Sequence, residues 1–185
     1  MSASLPVLEH AVRSGLEHAR ATRPLAIVPD GPALCLRRAE PSDAREIHAL
    51  LEHFVGPGQL LPRTLKQVEG AIRDFVVAID DGRIVGCVAL RIYSADIAEI
   101  GALAVAVERH GTGIGRMLVD TLVHDAGTLG LRRVFALTLQ DGFFHRLGFE
   151  TTLISEFPKK VAADCAMCAR RATCREITVA RTLVH

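Results

Sequence analysis

Three glycines in five positions, Gly111, Gly113 and Gly115, stand between Arg109 and Arg116 in the stretch ERHGTGIGRML. Glycine permits positive φ angles and lets a backbone approach a ligand closely. An apolar-periodic run follows, so the loop opens a helix whose first amides have no carbonyl partners and whose dipole favours negative charge. This chemistry suits a phosphate or pyrophosphate; a tight strand-to-helix turn without a ligand would use the same glycines. Two phosphate templates fail. G-x-G-x-x-G is not completed, because Arg116 follows Gly115, and the P-loop spacing from Gly111 meets Arg116 and Met117 in place of its closing residues. A second group lies near the other end. Cys165, Cys168 and Cys174 are spaced C-x2-C-x5-C, and C-x-x-C is a half-site for zinc. A fourth ligand would come from His145, His185, Cys87 or Glu176. A redox or iron–sulfur role and three plain reduced thiols remain open. Cys35 and Cys87 sit in apolar runs and read as small core residues.

The elements that must position these groups follow from periodicity. Leu5, Leu8, Val12, Leu16 and Ala19 have helical spacing, and the proline-rich stretch from Arg23 to Pro32 ends that helix. Ala33 to Ala39 reads as a strand. Ser42 is the expected N-cap of a helix with Ile47, Leu50, Leu51 and Phe54 on one face. A Gly/Pro loop from Val55 to Arg63 leads to a second helix, Thr64 to about Ile72. Phe75 to Tyr93 is a strand, an Asp-Gly turn and a strand. A third strand leads into the glycine loop, and the helix after it ends at Gly130. A strand over Arg132 to Leu139, a short helix closed by Gly148 and a last strand from Glu176 complete the order β-α-α-β-β-β-α-β-α-β. The fold class is a mixed α/β sheet. Residues 1–32 form an N-terminal helix and linker, and 33–185 one domain with a cysteine-containing tail at 157–175.

Composition narrows the classes. Hydrophobic residues at 49% and charged residues at 23% argue against disorder. A net charge of +1 calls for neither nucleic acid nor a membrane surface. No apolar run reaches the roughly 18 residues of a spanning helix, and no secretion signal is evident. The expectation is a cytoplasmic protein, with the N-terminal helix as a possible homodimer contact.

Leu103-Ala104-Val105 precedes the glycine loop, and FFHRLGF follows about 30 residues beyond it. This combination resembles the GNAT superfamily of acetyl-CoA-dependent N-acetyltransferases. The family loop [QR]-x-x-G-x-[GA] maps onto His110-Gly111-Thr112-Gly113-Ile114-Gly115, with His110 in place of Gln or Arg. LLPR, IRDF, IVGCVAL, VFALT and the tail FPKKVAADCAMCARRATCREI are similar to short, single-domain bacterial N-acetylglutamate synthases. The resemblance implies a mostly antiparallel sheet flanked by helices. It also implies acetyl transfer from acetyl-CoA to the α-amine of an amino acid, L-glutamate first, as the opening step towards arginine. Another acceptor, such as glutamine, and an idle acetyl-CoA-binding regulatory module are the alternatives.

The resemblance assigns roles as well. Backbone at Leu103, Ala104 and Val105 would serve the thioester carbonyl. Residues His110 to Arg116 would hold the pyrophosphate. Phe144 occupies the position where the family has a tyrosine acid, which phenylalanine cannot replace. His145, water or the departing ammonium would then supply the thiolate proton; Tyr93, the one tyrosine, has no evident part. Glu99 is the expected general base. Arg63 and Arg73 are candidate forks for substrate carboxylates, with Arg91 or Lys159 contributing. Gly101-Ala102 departs from the family's Arg-Ser, and Lys159 from its His.

Overall fold

The computed structural model describes residues 26–27 and 34–183. The expected N-terminal helix lies outside these residues. The strands are β1 (Ala26–Ile27), β2 (Cys35–Arg38), β3 (Phe75–Asp80), β4 (Arg83–Ile92), β5 (Ile97–Val105), β6 (Arg133–Thr138), β7 (Glu150–Thr152) and β8 (Ile177–Thr182). They form one sheet in the order β1-β2-β3-β4-β5-β6-β8-β7. Every pairing is antiparallel except β5 with β6.

Local sequence explains the joints. Asp81 and Gly82 both take positive φ, 48° and 75°, and Asp80 pairs with Arg83 across them. This is the two-residue reversal whose twist matches the flanking strands. Helix α1 (Ala44–Glu52) buries Ala44, Ile47, Leu50 and Leu51. Its start differs from expectation: Ser42 lies within a 3-10 turn, Pro41–Asp43, and Asp43 instead binds the Glu40 amide at 2.7 Å and the Arg37 guanidinium. The longer carboxylate side chain reaches both groups, which a serine hydroxyl cannot. Helix α2 (Leu65–Gly70) opens with a reciprocal cap between Thr64 and Gln67.

Helix α3 (Ile114–Thr128) makes the crossover between the parallel strands. Its buried Ile114, Leu118, Val119, Leu122 and Ala126 meet Val76, Val88, Leu90, Ala98 and Ile100 on one face of the sheet. The Leu131 amide closes its end on the Ala126 carbonyl. Helix α4 (Asp141–His145) adds Phe144 to the same layer. Helices α1 and α2 cover the opposite face through Ile47, Leu51 and Val68 against Val77, Cys87 and Ala104.

Three elements have no counterpart in the periodicity: β1, within the stretch expected to be linker, β7, and a helix in the tail. β7 is three residues long and mostly exposed, and is ordered by pairing Thr151 and Thr152 with Val179 and Thr178 of β8. Helix α5 (Pro158–Ala163) has proline at its first turn and no buried residue of its own. The segment from Leu153 to Glu176 therefore leaves the sheet beside Thr178 and returns at Ile177. In between, Phe157 stacks on Phe135 of β6, ring centroids 3.9 Å apart.

Candidate active site

The site begins where β5 and β6 part. They pair only at Ile97–Arg133, Ala98–Val134 and Glu99–Phe135, yet β5 runs on to Val105 and β6 to Thr138. A bulge adds to the divergence. Cys87 pairs with Ala104 but Ala89 with Gly101, so Ala102 and Leu103 together face Val88, and Ala102 takes a φ of 50°. A cleft of about 660 Å³ opens between the strands. Leu103, Ala104 and Val105 form one wall and Leu137 to Gln140 the other; Phe54, Leu60, Phe143 and Phe144 add apolar surface.

The glycine loop is the rim of this cleft. Gly111 and Gly113 have φ of 78° and 88°, and a Cβ at either would meet nothing within 4 Å. Both glycines are there for backbone conformation rather than for room. Gly115 differs: a Cβ would touch the Phe143 ring at 3.5 Å. Helix α3 starts with no side-chain cap and no acidic residue in its first turn. The opening amides at Ile114, Gly115 and Arg116, all residues of the cleft lining, are thus left for an anion. His110 turns back onto β5. Its Nε2 lies 2.8 Å from the Val105 carbonyl, so that nitrogen carries the proton, and its ring stacks on Phe54. Thr112 is not in the lining; its hydroxyl donates to the Arg109 carbonyl at 2.6 Å. Arg109 pairs with buried Asp80 at the end of β3, tying the loop to the hairpin.

Glu99 is only 9% exposed and lies at the last paired position before the strands part. A Cβ built on Gly101, a lining residue, would stand 3.8 Å from its carboxylate. Strand alternation puts Glu99, Arg91 and Tyr93 on the face opposite α3. Residues from the tail meet them there. Lys160 Nζ is 2.8 Å from the Glu99 carboxylate and 3.0 Å from Asp164. The Tyr93 hydroxyl is 2.9 Å from Glu99 Oε2 and 2.5 Å from Asp164 Oδ2. Arg91 Nη1 holds both Asp164 oxygens at 2.8 Å.

The charges respond to this packing. Burial, together with the Glu99 and Asp164 carboxylates, pushes the Tyr93 phenol well above its ordinary value. Burial opposes the Lys160 charge, but the same two carboxylates outweigh it and raise its pKa. Burial likewise opposes ionisation of Asp164, yet hydrogen bonds from Tyr93 and Lys160 bring its carboxyl down to about 2.

The other expected site residues are placed as follows. Arg63 is exposed in the loop between α1 and α2, and its charge is felt by the Cys87 thiol beneath the Ala102 bulge. Arg73 is exposed in a 3-10 turn before β3. Neither lines the cleft. Lys159 points outward while its neighbour Lys160 enters the cluster. Of the readings open for the cysteines, the zinc shell is not seen: among the described residues no three His, Cys, Asp or Glu side chains gather as ligands would. Cys165 and Cys168 are half-buried on one short turn, whereas a second turn carries Cys174 to an exposed position beside Glu176.

Tyr93, Lys160 and Asp164 are the residues that sequence reasoning missed. One signal was available. Phe157, Lys160 and Asp164 are spaced three and four apart, which aligns them on one helical face below a buried aromatic.

The model of the acetyltransferase (GNAT) family matches residues 44–149, from the start of α1 to the end of the α4 turn. The chain belongs to the GNAT acetyltransferase family. An uncharacterized N-acetyltransferase of Chlorobaculum tepidum is 39% identical over 149 residues, covering 80% of this chain and 96% of that protein. The amino-acid acetyltransferase of Mycobacterium tuberculosis is 39% identical over 62% of this chain and 67% of its own length. A Neisseria meningitidis amino-acid acetyltransferase is 33% identical, but this GNAT chain spans only 30% of it. Among solved structures, N-acetylglutamate synthase of Neisseria gonorrhoeae, complexed with coenzyme A and N-acetyl-glutamate, aligns with a TM-score of 0.74 at 27% identity. That alignment covers 84% of this chain and 36% of the synthase. A Mycobacterium tuberculosis protein in complex with CoA and NLQ aligns at 0.71 and 29% identity, over 80% of this chain and 99% of that one. The fold is thus shared with proteins solved in complex with CoA. No described helix is long and apolar enough to cross a membrane.

Proposed function

We propose that this acetyltransferase moves the acetyl group of acetyl-CoA to the α-amine of an amino acid, with L-glutamate as the first acceptor. The observation that carries this reading is the buried Glu99 carboxylate, which is not itself in the cleft lining but lies 3.8 Å from where a Cβ on the lining residue Gly101 would stand. The pyrophosphate rests on the loop of Gly111, Gly113 and Gly115 and the opening amides of α3. The thioester lies along Leu103 to Val105, where backbone amides stabilise the oxyanion. Glu99 takes a proton from the ammonium, directly or through one water, and frees the nitrogen to attack. Arg63 and Arg73, exposed outside the cleft lining, are the candidate forks for the acceptor's carboxylates, with Arg91, already paired with Asp164, as a third. The names of the Mycobacterium and Neisseria relatives support an amino-acid acceptor.

Thiol release from acetyl-CoA, measured across a panel of amino acids, tests this reading. Turnover is expected with glutamate ahead of glutamine and the rest. Glu99→Gln should lower kcat by about 10²- to 10⁴-fold, the usual contribution of a positioned base, while acetyl-CoA binding is kept. Acetyl-CoA binding without turnover on any amino acid would overturn the proposed activity, and full turnover by the Gln variant would overturn the base.

A further inference from the structure

The transfer releases a proton. An ammonium and acetyl-CoA give an amide, the CoA thiol and one H⁺: the N–C bond forms, the C–S bond breaks, and two protons leave nitrogen. One ends on the sulfur. The other goes to the base, which must pass it to water before the next turnover. Glu99 has little contact with water, its side chain being 11% exposed, whereas that of Asp164 is 27% exposed. The Tyr93 hydroxyl lies between them, 2.9 Å from Glu99 Oε2 and 2.5 Å from Asp164 Oδ2. A phenol has one proton to donate and lone pairs to accept with. Both contacts are hydrogen bonds at once only when one carboxyl carries a proton, and that is the state a base reaches after deprotonating its substrate.

We infer that Tyr93 and Asp164 form the proton exit of the site, carrying the proton from Glu99 to solvent. Protonated Glu99 donates to the Tyr93 oxygen as Tyr93 passes its own proton to Asp164; the phenol is restored and Asp164 releases H⁺ to water. The raised pKa of Tyr93 means the two transfers are concerted, without a free phenolate. The lowered pKa of Asp164 makes the step onto it uphill and its protonated form transient, so the proton moves on to water. Lys160 touches both carboxylates and Arg91 holds Asp164, so positive charge flanks both ends of the path. Among the described residues, Cys165 on the tail and Asp74 ahead of β3, which feels Arg91, are further titratable groups against the cluster. Tyr93 and Asp164 act through Glu99 rather than on substrate.

The inference rests on Glu99 as base, so three variants of the full chain are compared. Tyr93→Phe keeps the ring beside Phe135 and removes the hydroxyl. It is expected to lower kcat by roughly 10- to 100-fold with both KM values within about twofold, and to change the solvent deuterium effect on kcat. Asp164→Asn should lose kcat likewise and regain part of it as imidazole buffer is raised, because a small buffer can collect the stranded proton. Unchanged kcat in either variant overturns the relay. So does a loss that ignores buffer and isotope while KM rises, since that marks a merely structural role. Glu99→Gln separates the two ideas: if it stays fully active, base and relay fall together. If it is dead while Tyr93→Phe is fully active, only the relay falls.

Discussion

Lys160→Met removes an ammonium from between two carboxylates while keeping most of the side chain's length. Lys160 is 14% exposed and sits 2.8 Å from Glu99 and 3.0 Å from Asp164. Stripping one partner from a buried ion pair costs about 3–5 kcal/mol. The lower end applies here, because Arg91 still holds Asp164 and Tyr93 still donates into the cluster. A loss of about 3 kcal/mol lowers Tm by about 6–12 °C in a chain of this size. The pH dependence has a definite sign. Lys160 has a raised pKa, so its contribution is complete below the ordinary lysine value of 10.5 and fades only above it. Asp164 is depressed to about 2 from 3.8, so its contribution is present above 3.8 and lost as pH falls towards 2. The gap in Tm between wild type and variant is therefore widest near neutrality and narrows towards pH 3. Thermal unfolding followed by circular dichroism at pH 7, 5 and 3 measures it. A loss under about 1 kcal/mol at pH 7, the size of an exposed pair, would refute the placement of this lysine inside the cluster.

Two further perturbations probe the rim and the cysteines. Gly113→Ala meets no atom within 4 Å but must hold a φ of 88°, at a cost of about 1–2 kcal/mol; the KM for acetyl-CoA should rise more than that for the amino acid, as steady-state kinetics would reveal. Cys87 is fully buried with its thiol pushed up to about 12, and Cys174 is exposed. A chromogenic disulfide reagent at pH 8 should modify Cys174 in the folded protein and Cys87 only after denaturation, as mapped by mass spectrometry.

The sequence made some parts of this legible and hid others. The β3–β4 hairpin is readable because Asp81-Gly82 fixes its own reversal, and α3 because Ile114, Leu118, Leu122 and Ala126 recur at helical spacing ahead of Gly130. The Ser42 cap is not realised, because capping preference ranks residue types whereas Arg37 brings a competing partner, Asp43, to the same turn. The glycine loop was visible as a local pattern. The cluster around Glu99 was not, because its members come from β4, β5 and α5 and meet only through the sheet. Lys159 and Lys160 are indistinguishable by composition; Phe157 stacking on Phe135 decides which of them turns inward.

The return of the tail to its point of departure has an evolutionary consequence. The chain leaves the sheet at Thr152 and re-enters opposite it at Thr178, and that ladder pins both ends of the excursion. Lengthening or shortening a segment whose ends are already held together is cheap, about 0.6 kcal/mol per doubling. The segment that brings Lys160 and Asp164 to the Glu99 carboxylate can thus change in length without disturbing the sheet or the glycine loop.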